Sequence, residues 1–409
     1  MATKQASPTT NKSKEETILP NYVQKKQKLL SLKNQECIPD DLIESILLRL
    51  PIKSLIRFKC VSKQWQSLLT SHRFVRAFNK DQNQTCLLVP MNLLTDPDST
   101  SIINLIDLKT IADEPERENN NWAEVIRFPY QCQSKFTSCC DGILCFYNYK
   151  VGILGLWNPY INDYQEIVLP ENLHSANSSY ASFYLVYDSS INNYKIVGKV
   201  ALDFYVLTLK SNRWRKVSIT IPITSLVGTE CISDNNGSLY LFGSKAQIAL
   251  RFDIVEEKFT EVPMPPEVIR DGDGISHIFV KREGRFGILG NCLCLTCVNV
   301  AENCSDTWMW KGKTWSKYLS IPCSDYMEFI GLEPLCLTED GAVVMHRMEL
   351  LRHFFIVVQS VGKSQGECVG LIKDRRGATC KKFYVPGNCL PTDYSFTYTK
   401  TLVSPSSLM

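Results

Sequence analysis

The chain has 409 residues with a formal net charge of +3, and 44% of its residues are apolar and 21% are charged. These values are ordinary for a globular protein, and so small a net charge gives no reason to expect nucleic acid as a partner. The length suits one small and one large domain, or a short module followed by one large propeller or barrel.

Residues 1–36 contain seven lysines against three glutamates and are otherwise rich in Ser, Thr, Asn and Gln. This composition predicts a disordered basic tail, in which Lys25-Lys26-Gln27-Lys28 is a weak candidate for a nuclear signal. No apolar stretch follows Met1, and the longest charge-free apolar run, Phe286–Ala301, is broken by Gly290 and by three polar residues. We therefore expect no secretory signal, no membrane partner and a cytoplasmic or nuclear protein.

The segment 38–69 repeats apolar residues at helical spacing, as Leu42, Ile46 and Leu50 illustrate. Pro39 followed by Asp40 or Asp41 predicts the start of a first helix, because an aspartate there suits the positive helix end. Pro51 predicts its end, because proline lacks the backbone donor and disfavours helical geometry in the preceding residue.

Two further helices follow in this segment. Lys53 or Ser54 begins the second, and Ser62 can cap a third that carries Trp65; Phe74 and Phe78 extend the pattern by one more turn or helix. A unit of roughly 40 residues buries too little area for independent stability without a disulfide, a metal or a partner. The segment carries more apolar residues than so small a core can bury, and this excess predicts a partner that covers part of it.

This arrangement over residues 37–80 resembles the F-box, the helical module that docks a Skp1-type adaptor in cullin-based ubiquitin ligases. An ordinary three-helix bundle with an inward tryptophan is the alternative. The resemblance implies that the following residues bind the adaptor: Ile38, Pro39, Leu42, Ile46, Leu50, Pro51, Leu55, Phe58, Val61 and Trp65. Cys60 and Ser62 also belong to the matching pattern. In that family, the proline and the leucine face meet the adaptor, while the tryptophan mainly packs the later helices.

Basic residues also recur through the segment, and either an acidic adaptor surface or a solvated helix face accounts for them. They are Arg49, Lys53, Arg57, Lys59 and Lys63.

Seventeen cysteines invite a disulfide interpretation, but the number is odd and no export signal accompanies it. Six of the cysteines form two clusters. One contains Cys139, Cys140 and Cys145, and the other contains Cys292, Cys294 and Cys297. Each cluster raises the possibility of a zinc site, but zinc needs four ligands, commonly from paired knuckles. Buried thiols acting as small hydrophobic side chains explain both clusters, so we expect no metal and no cofactor.

From residue 85 to about residue 400 the pattern becomes that of short strands separated by Gly, Asn, Asp, Ser or Pro turns. Marker turns near residues 141, 188, 236, 290 and 340 recur about every 50 residues, the period of kelch-like propeller blades. The prediction is a large all-β domain, a propeller of six or seven blades, with a β-sandwich as the alternative. Residues 401–409 are predicted to be a flexible tail.

The β-region resembles the F-box-associated domain of the large plant F-box family, including its kelch-like and S-locus-related members. The resemblance is carried by four pieces: Ser138–Cys145, Leu156–Pro159, Tyr187–Val197 and Val206–Arg215. The repeats lack the double glycine and the regular Tyr/Trp pair of a true kelch blade.

The sequence gives no sign of catalysis. Five histidines form no His-x-x-x-His pair, no Gly-x-Ser-x-Gly elbow or phosphate loop is present, and Asp271–Gly274 lacks the remaining ligands of a calcium loop. The resemblances to the F-box and to the F-box-associated domain, together with the lack of catalytic motifs, imply a non-catalytic substrate receptor of a Skp1–cullin–F-box ligase.

Such a receptor would bind the adaptor, and through it the cullin and RING subunits, and would present a target protein for ubiquitination and degradation. The alternatives are a receptor for a small ligand or glycan and a non-degradative scaffold or regulator. Target contacts are expected on loops of one propeller face, with residues 170–179, 222–229 and 265–274 as candidate loops and no individual substrate-binding residue assigned.

Overall fold

The computed structural model describes residues 38–81, 85–93, 102–107, 123–129, 134–174, 181–219, 230–234, 237–242, 248–265, 285–299, 302, 304–322, 333–337, 343–348, 353–359, 380–384, 389–391 and 396–409. The chain divides into two compact units, the first ending at Pro51 and the second beginning at Ile52. None of the helices in these ranges is long and apolar enough to cross a membrane.

Four helices lie at the start of the described chain and one short helix lies in the β-region. They are α1 (Asp40–Leu48), α2 (Ile52–Phe58), α3 (Lys63–Thr70), α4 (His72–Asp81) and α5 (Glu171–His174).

The predicted helix boundaries are confirmed to within two residues. Helix α1 begins after Pro39, whose carbonyl accepts hydrogen bonds from the backbone N–H groups of Leu42 and Ile43, and no side chain caps it. Ser62 caps α3, because its Oγ accepts a hydrogen bond from the backbone N–H of Trp65 at 3.1 Å.

Five sheets share one plan, in which four consecutive strands pair antiparallel with their chain neighbours. The first two blades are β4 (Lys135–Cys140), β5 (Ile143–Asn148), β6 (Ile153–Asn158), β7 (Asp163–Ile167), then β8 (Ser182–Asp188), β9 (Asn193–Val200), β10 (Asp203–Thr208), β11 (Arg213–Val217). The third and fourth are β12 (Glu230–Ser233), β13 (Ser238–Phe242), β14 (Ile248–Asp253), β15 (Lys258–Pro263), then β16 (Arg285–Leu289), β17 (Cys292–Asn299), β18 (Cys304–Trp310), β19 (Trp315–Pro322). The fifth is β20 (Glu333–Leu337), β21 (Val343–Met348), β22 (His353–Gln359), β23 (Cys380–Tyr384).

A sixth sheet joins strands from both ends of the β-region. Its strands are β1 (Thr85–Leu93), β2 (Ile102–Asp107), β3 (Ala123–Arg127), β24 (Cys389–Pro391) and β25 (Phe396–Thr399). Strand β1 pairs with β2 on one side and with both β24 and β25 on the other. Because β25 also contacts β4 of the first blade and β20 of the fifth, this antiparallel sheet closes the ring.

The predicted count of six or seven blades is therefore corrected. Over the described residues, five blades have the regular four-strand plan, whereas the closing sheet contains five strands taken from both ends of the β-region. Each of the five marker turns falls between the first and second strands of a blade. Residues 235–236 and 338–342 of these turns lie outside the described residues. At the first of these turns, Asp141 and Gly142 have φ values of 47° and 73°, which glycine adopts without strain.

Large aromatic side chains on the fourth strands connect neighbouring blades. The indole N–H of Trp214 donates to the carbonyl of Val168 in the preceding blade at 3.1 Å, and that of Trp315 donates to the carbonyl of Pro263 at 2.5 Å.

Residues 401–409 differ from the flexible tail that the sequence predicts. Thr401, Leu402 and Val403 are buried, and a short 3-10 helix, Pro405–Ser407, contacts β6 and β7. The apolar pair Leu402-Val403 and the hydrogen bonds described below tie this segment to the first blade.

The described cysteines are free thiols. Burial raises the pKa of Cys139, Cys145, Cys294 and Cys297 to about 12. These thiols are therefore neutral at physiological pH, in agreement with their interpretation as small apolar side chains.

Candidate functional site: the helical apolar surface and the two ends of the blades

The candidate adaptor surface on the first unit is an exposed apolar stripe. Leu42 and Ile46 lie one turn apart on α1, and Ile38 precedes the helix; these three side chains are 55%, 54% and 56% exposed. Pro39 and Pro51 are also exposed, whereas Leu47 is 1% exposed. Helix α1 thus keeps one apolar face buried and offers another to solvent, which is unusual for large aliphatic side chains without a partner.

The remaining candidate residues differ in how much of each side chain is exposed to a partner. Val61 is 60% exposed, whereas Leu55 is completely buried and has no surface to present. The rings of Phe58 and Trp65 meet edge to face with centroids 5.6 Å apart, and both side chains are half-buried, as is Leu50. Phe58 and Trp65 therefore stabilise the helices by packing on each other.

Lys59, one of the five basic residues of the helical segment, binds within the protein and does not face a partner or solvent as the sequence suggests. Lys59 is half-buried, and its Nζ donates a hydrogen bond to the carbonyl of Leu402 at 3.0 Å. Burial lowers the pKa of Lys59, and the nearby carboxylate of Asp163 counteracts this. Lys59 holds the C-terminal segment, while Arg49, Lys53, Arg57 and Lys63 are exposed.

The C-terminal segment lies between the later helices and the first blade. The Asn158 side-chain amide donates to the carbonyls of Thr401 and Val403 at 3.1 and 2.8 Å, and Asp163 accepts hydrogen bonds from the hydroxyls of Ser404 and Ser406. Val403 also shares an apolar cluster with Val75 of α4. Sequence reasoning missed this connection, and the apolar pair at 402–403 was its only local signal.

The blades have two distinct ends. We call the end that carries the first and third turns of each blade the near end, and the opposite end, with the second turns and the connections between blades, the far end. Tyr194 donates a hydrogen bond to Asp141 of the preceding blade at 2.9 Å, which aligns the near ends of the first two blades. Asn158 and Asp163 border the third turn of the first blade, so the C-terminal segment lies at the near end.

A buried ion network ties the second blade to the third at the near end. The Nζ of Lys195 lies 2.7 Å from Asp188, 2.9 Å from Glu257 and 2.9 Å from the carbonyl oxygen of Ile254. The side chains of Lys195 and Asp188 are only 6% and 1% exposed, and Arg215 also binds Glu257. Every charge here has a partner, as buried ions require.

The strand ends that border the predicted substrate loops lie at the far end, since each loop follows the fourth strand of one blade and precedes the first strand of the next. Of residues 170–179, the short helix α5 is described, with Leu173 buried. Residues 175–179, 222–229 and 266–274 lie outside the described residues.

One group among the described residues has the composition of a cation site. Glu302, Cys304 and Asp306 place their ligand atoms within 4.8 Å of one another. The ammonium group of Lys317 lies 2.9 Å from Asp306, and Ser320 donates to the same carboxylate at 2.6 Å. Lysine and hydroxyl donors already satisfy Asp306, so this group is an ion pair within the fourth blade.

Comparisons with known proteins match both regions. The sequence profile of the F-box domain matches residues 36–77, and that of the F-box associated beta propeller domain matches residues 108–371. An F-box/kelch-repeat protein of Arabidopsis thaliana is 26% identical over 340 residues, covering 75% of this chain and 84% of that protein. An F-box/LRR-repeat protein of the same plant is 24% identical over 398 residues, covering 88% of this chain and 87% of that protein.

Likenesses among solved structures are weaker. A chain from the nidogen/laminin complex gives a TM-score of 0.40 at 11% identity and covers 67% of this chain and 89% of that chain. At this level of similarity the match carries no argument about function.

Proposed function

The chain belongs to the F-box proteins that carry an F-box-associated β-propeller domain, and on this premise we propose that it is the substrate-recognition subunit of a Skp1–cullin–F-box ubiquitin ligase. Its helical region would bind a Skp1-type adaptor, and through it the cullin and RING subunits. Its β-domain would bind a target protein in the cytoplasm or nucleus.

The observation that carries this proposal is the exposed stripe of Ile38, Leu42 and Ile46. Three aliphatic side chains, each more than half exposed, leave apolar area in water that a partner groove can cover. The exposed basic residues Lys53, Arg57 and Lys63 would add attraction to an acidic adaptor surface.

The role requires no bond-making residue in this chain. A receptor that holds its target beside a ubiquitin-charged enzyme accelerates transfer by raising the effective concentration and by fixing orientation. Hydrogen bonds from Lys59 and Asn158 tie the C-terminal segment to the later helices and the first blade, which would keep this part of the receptor in one arrangement.

The test replaces two exposed residues of the surface, Leu42→Asp and Pro51→Asp, in the full chain. Each substitution puts a charge where an apolar contact is expected, and loss of one interface anchor costs about 2 kcal/mol, or roughly 30-fold in affinity. We expect the double variant to lose capture of a purified Skp1-type adaptor by at least that factor, measured by calorimetry.

Ser67→Asp is the matched control, because Ser67 is exposed on α3 and lies outside the candidate surface. It should bind the adaptor as the wild type does, and circular dichroism should show the same β-domain in all three proteins. Wild-type affinity in the double variant would show that this surface does not bind the adaptor.

A further inference from the structure

Residues 404–407 are attached to the first blade through one carboxylate. Asp163, at the start of β7, accepts hydrogen bonds from the hydroxyl of Ser404 and from the hydroxyl of Ser406, the latter at 2.9 Å. The backbone N–H of Ser406 also donates to Asp163, over a longer distance of 3.4 Å. All three groups bind Asp163 as donors, so the attachment depends on each hydroxyl keeping its proton.

The residue that follows Ser404 makes it a recognisable acceptor for a modifying enzyme. Pro405 comes directly after Ser404, and Ser-Pro is the dipeptide that proline-directed protein kinases recognise. The same dipeptide occurs at one other place, Ser7-Pro8, and the sequence contains no Thr-Pro. Ser404 is half-buried and Pro405 is buried, so a kinase can reach the Ser404 hydroxyl only when the segment opens. Local opening of a short segment costs far less free energy than unfolding the whole protein.

A phosphate on Ser404 could not return to the closed position without repulsion. The modification removes the hydroxyl proton and adds a charge of about −1.5 to −2 beside the Asp163 carboxylate. Two ionised oxygen groups at this distance repel each other, and neither has a proton to donate. The closed arrangement would lose stability, and the population would shift toward the open segment.

The ammonium group of Lys59 acts against this repulsion. Lys59 interacts electrostatically with Asp163, but its Nζ donates a hydrogen bond to the carbonyl of Leu402 at 3.0 Å. The phosphate on Ser404 would lie beside Asp163, whereas Lys59 is bound two residues earlier in the segment. We therefore expect the repulsion to prevail.

We propose that Ser404 is a phosphorylation site for a proline-directed protein kinase, and that its phosphorylation detaches residues 404–409 from the first blade. The kinase would transfer the γ-phosphoryl group of ATP to Oγ of Ser404. The bond from phosphorus to the bridging oxygen of the departing ADP breaks and a bond from phosphorus to Oγ forms. The hydroxyl proton passes to the catalytic base of the kinase.

Detachment would also loosen the connection between the later helices and the first blade. The carbonyl of Leu402 binds Lys59, and Val403 shares an apolar cluster with Val75 of α4. Both residues directly precede the released segment. The effect on target presentation, and access to a kinase in the cytoplasm or nucleus, rest on the proposed function, whereas the chemistry can be tested with purified proteins.

The test uses the full chain carrying Ser7→Ala, so that Ser404 is left in its only Ser-Pro dipeptide. The protein is incubated with ATP and a mitogen-activated protein kinase, which is proline-directed, and mass spectrometry locates the phosphate. A synthetic peptide of residues 397–409 serves as the positive control for the kinase. Ser404→Ala is the matched acceptor control, and it should carry no phosphate in residues 397–409.

Hydrogen exchange then compares the phosphorylated and unmodified proteins. We expect the amides of residues 404–409 to exchange at least about tenfold faster after phosphorylation, because hydrogen bonds are lost and repulsion is added. In Asp163→Asn, the same phosphate should accelerate exchange clearly less. The asparagine side chain carries no charge, and its amide can donate a hydrogen bond to the phosphate.

Three outcomes would overturn the proposal. Phosphorylation of the peptide but not of the full chain would mean that the segment does not open to a kinase. Unchanged or slower exchange in the phosphorylated protein would mean that Lys59 holds the phosphate in place. An equal effect of the phosphate in Asp163→Asn would show that repulsion by Asp163 is not the cause of release. Adaptor capture is measured separately, so failure of the proposed function is distinguishable.

Discussion

Polar groups at the two ends of the blades differ in how deeply they are buried and in what they bind. At the near end, Lys195 is bound by two carboxylates, Asn158 donates to two backbone carbonyls, and Tyr194 donates to Asp141. At the far end of the second blade, by contrast, the ion pair of Lys216 with Asp203 lies at the surface, with side chains 57% and 47% exposed.

This contrast separates groups that hold the fold from groups that contribute little to its stability. Satisfied buried polar groups stabilise one arrangement of blades and helices, so their removal should cost stability. Exposed ion pairs and exposed apolar side chains add little stability, so their replacement should cost little. The following predictions test that difference in order of decreasing effect on stability.

The largest effect is expected for Lys195→Met. It leaves the carboxylate of Asp188 buried without its cation, and breaking a buried ion pair typically costs about 3–5 kcal/mol. Denaturant unfolding of the full chain measures this loss. A loss below about 1 kcal/mol would contradict the structural role of this network.

A smaller effect is expected for Asn158→Ala. The change removes the two hydrogen bonds that hold the C-terminal segment, to the carbonyls of Thr401 and Val403, and a hydrogen bond typically contributes about 0.5–1.5 kcal/mol net. Hydrogen exchange of residues 401–409 should rise in the variant. Ser407→Ala is the control, since the Ser407 hydroxyl bonds only to the Ser404 carbonyl within the segment, and it should leave exchange elsewhere unchanged.

The near-end network should also make stability depend on pH in the acid range. Burial acts to raise the pKa of Asp188, but hydrogen bonds from Lys195 and Ser190 outweigh it, so the pKa lies below its ordinary value. A carboxyl with a lowered folded-state pKa adds stability that is complete above its unfolded-state pKa and is lost as the pH falls through the folded-state value. Asp188→Asn should therefore show a shallower loss of stability on acidification than the wild type.

The smallest effect is expected at the far-end surface. Val151→Ser replaces an exposed side chain in the second turn of the first blade, and such surface changes usually alter stability by less than about 0.5 kcal/mol. The melting temperature in chloride should match that of the wild type. A clear destabilisation would show that this side chain packs against part of the protein, contrary to its exposure.

Signals within a few residues of one another were enough to predict much of this protein. Proline, aspartate and serine set the helix boundaries, as the cap from Ser62 to Trp65 shows. The marker turns located the blades because each hairpin turn needs residues that tolerate positive φ, such as Gly142. The stripe of Leu42 and Ile46 pointed to an outward apolar surface because helical periodicity places them on one face.

Only the tertiary structure decided which of the remaining groups have partners. The bond from Lys59 to Leu402 joins residues 343 positions apart, and the bond from Asn158 to Val403 spans 245 positions. The closing sheet likewise pairs β1 with β25, so the blade count could not be obtained from turn spacing. Lys195 and Lys199 have the same residue type and lie on the same face of one strand. Lys195 binds Glu257 of the next blade, a contact that only the folded chain creates, and contacts between distant residues leave no local signal in the sequence.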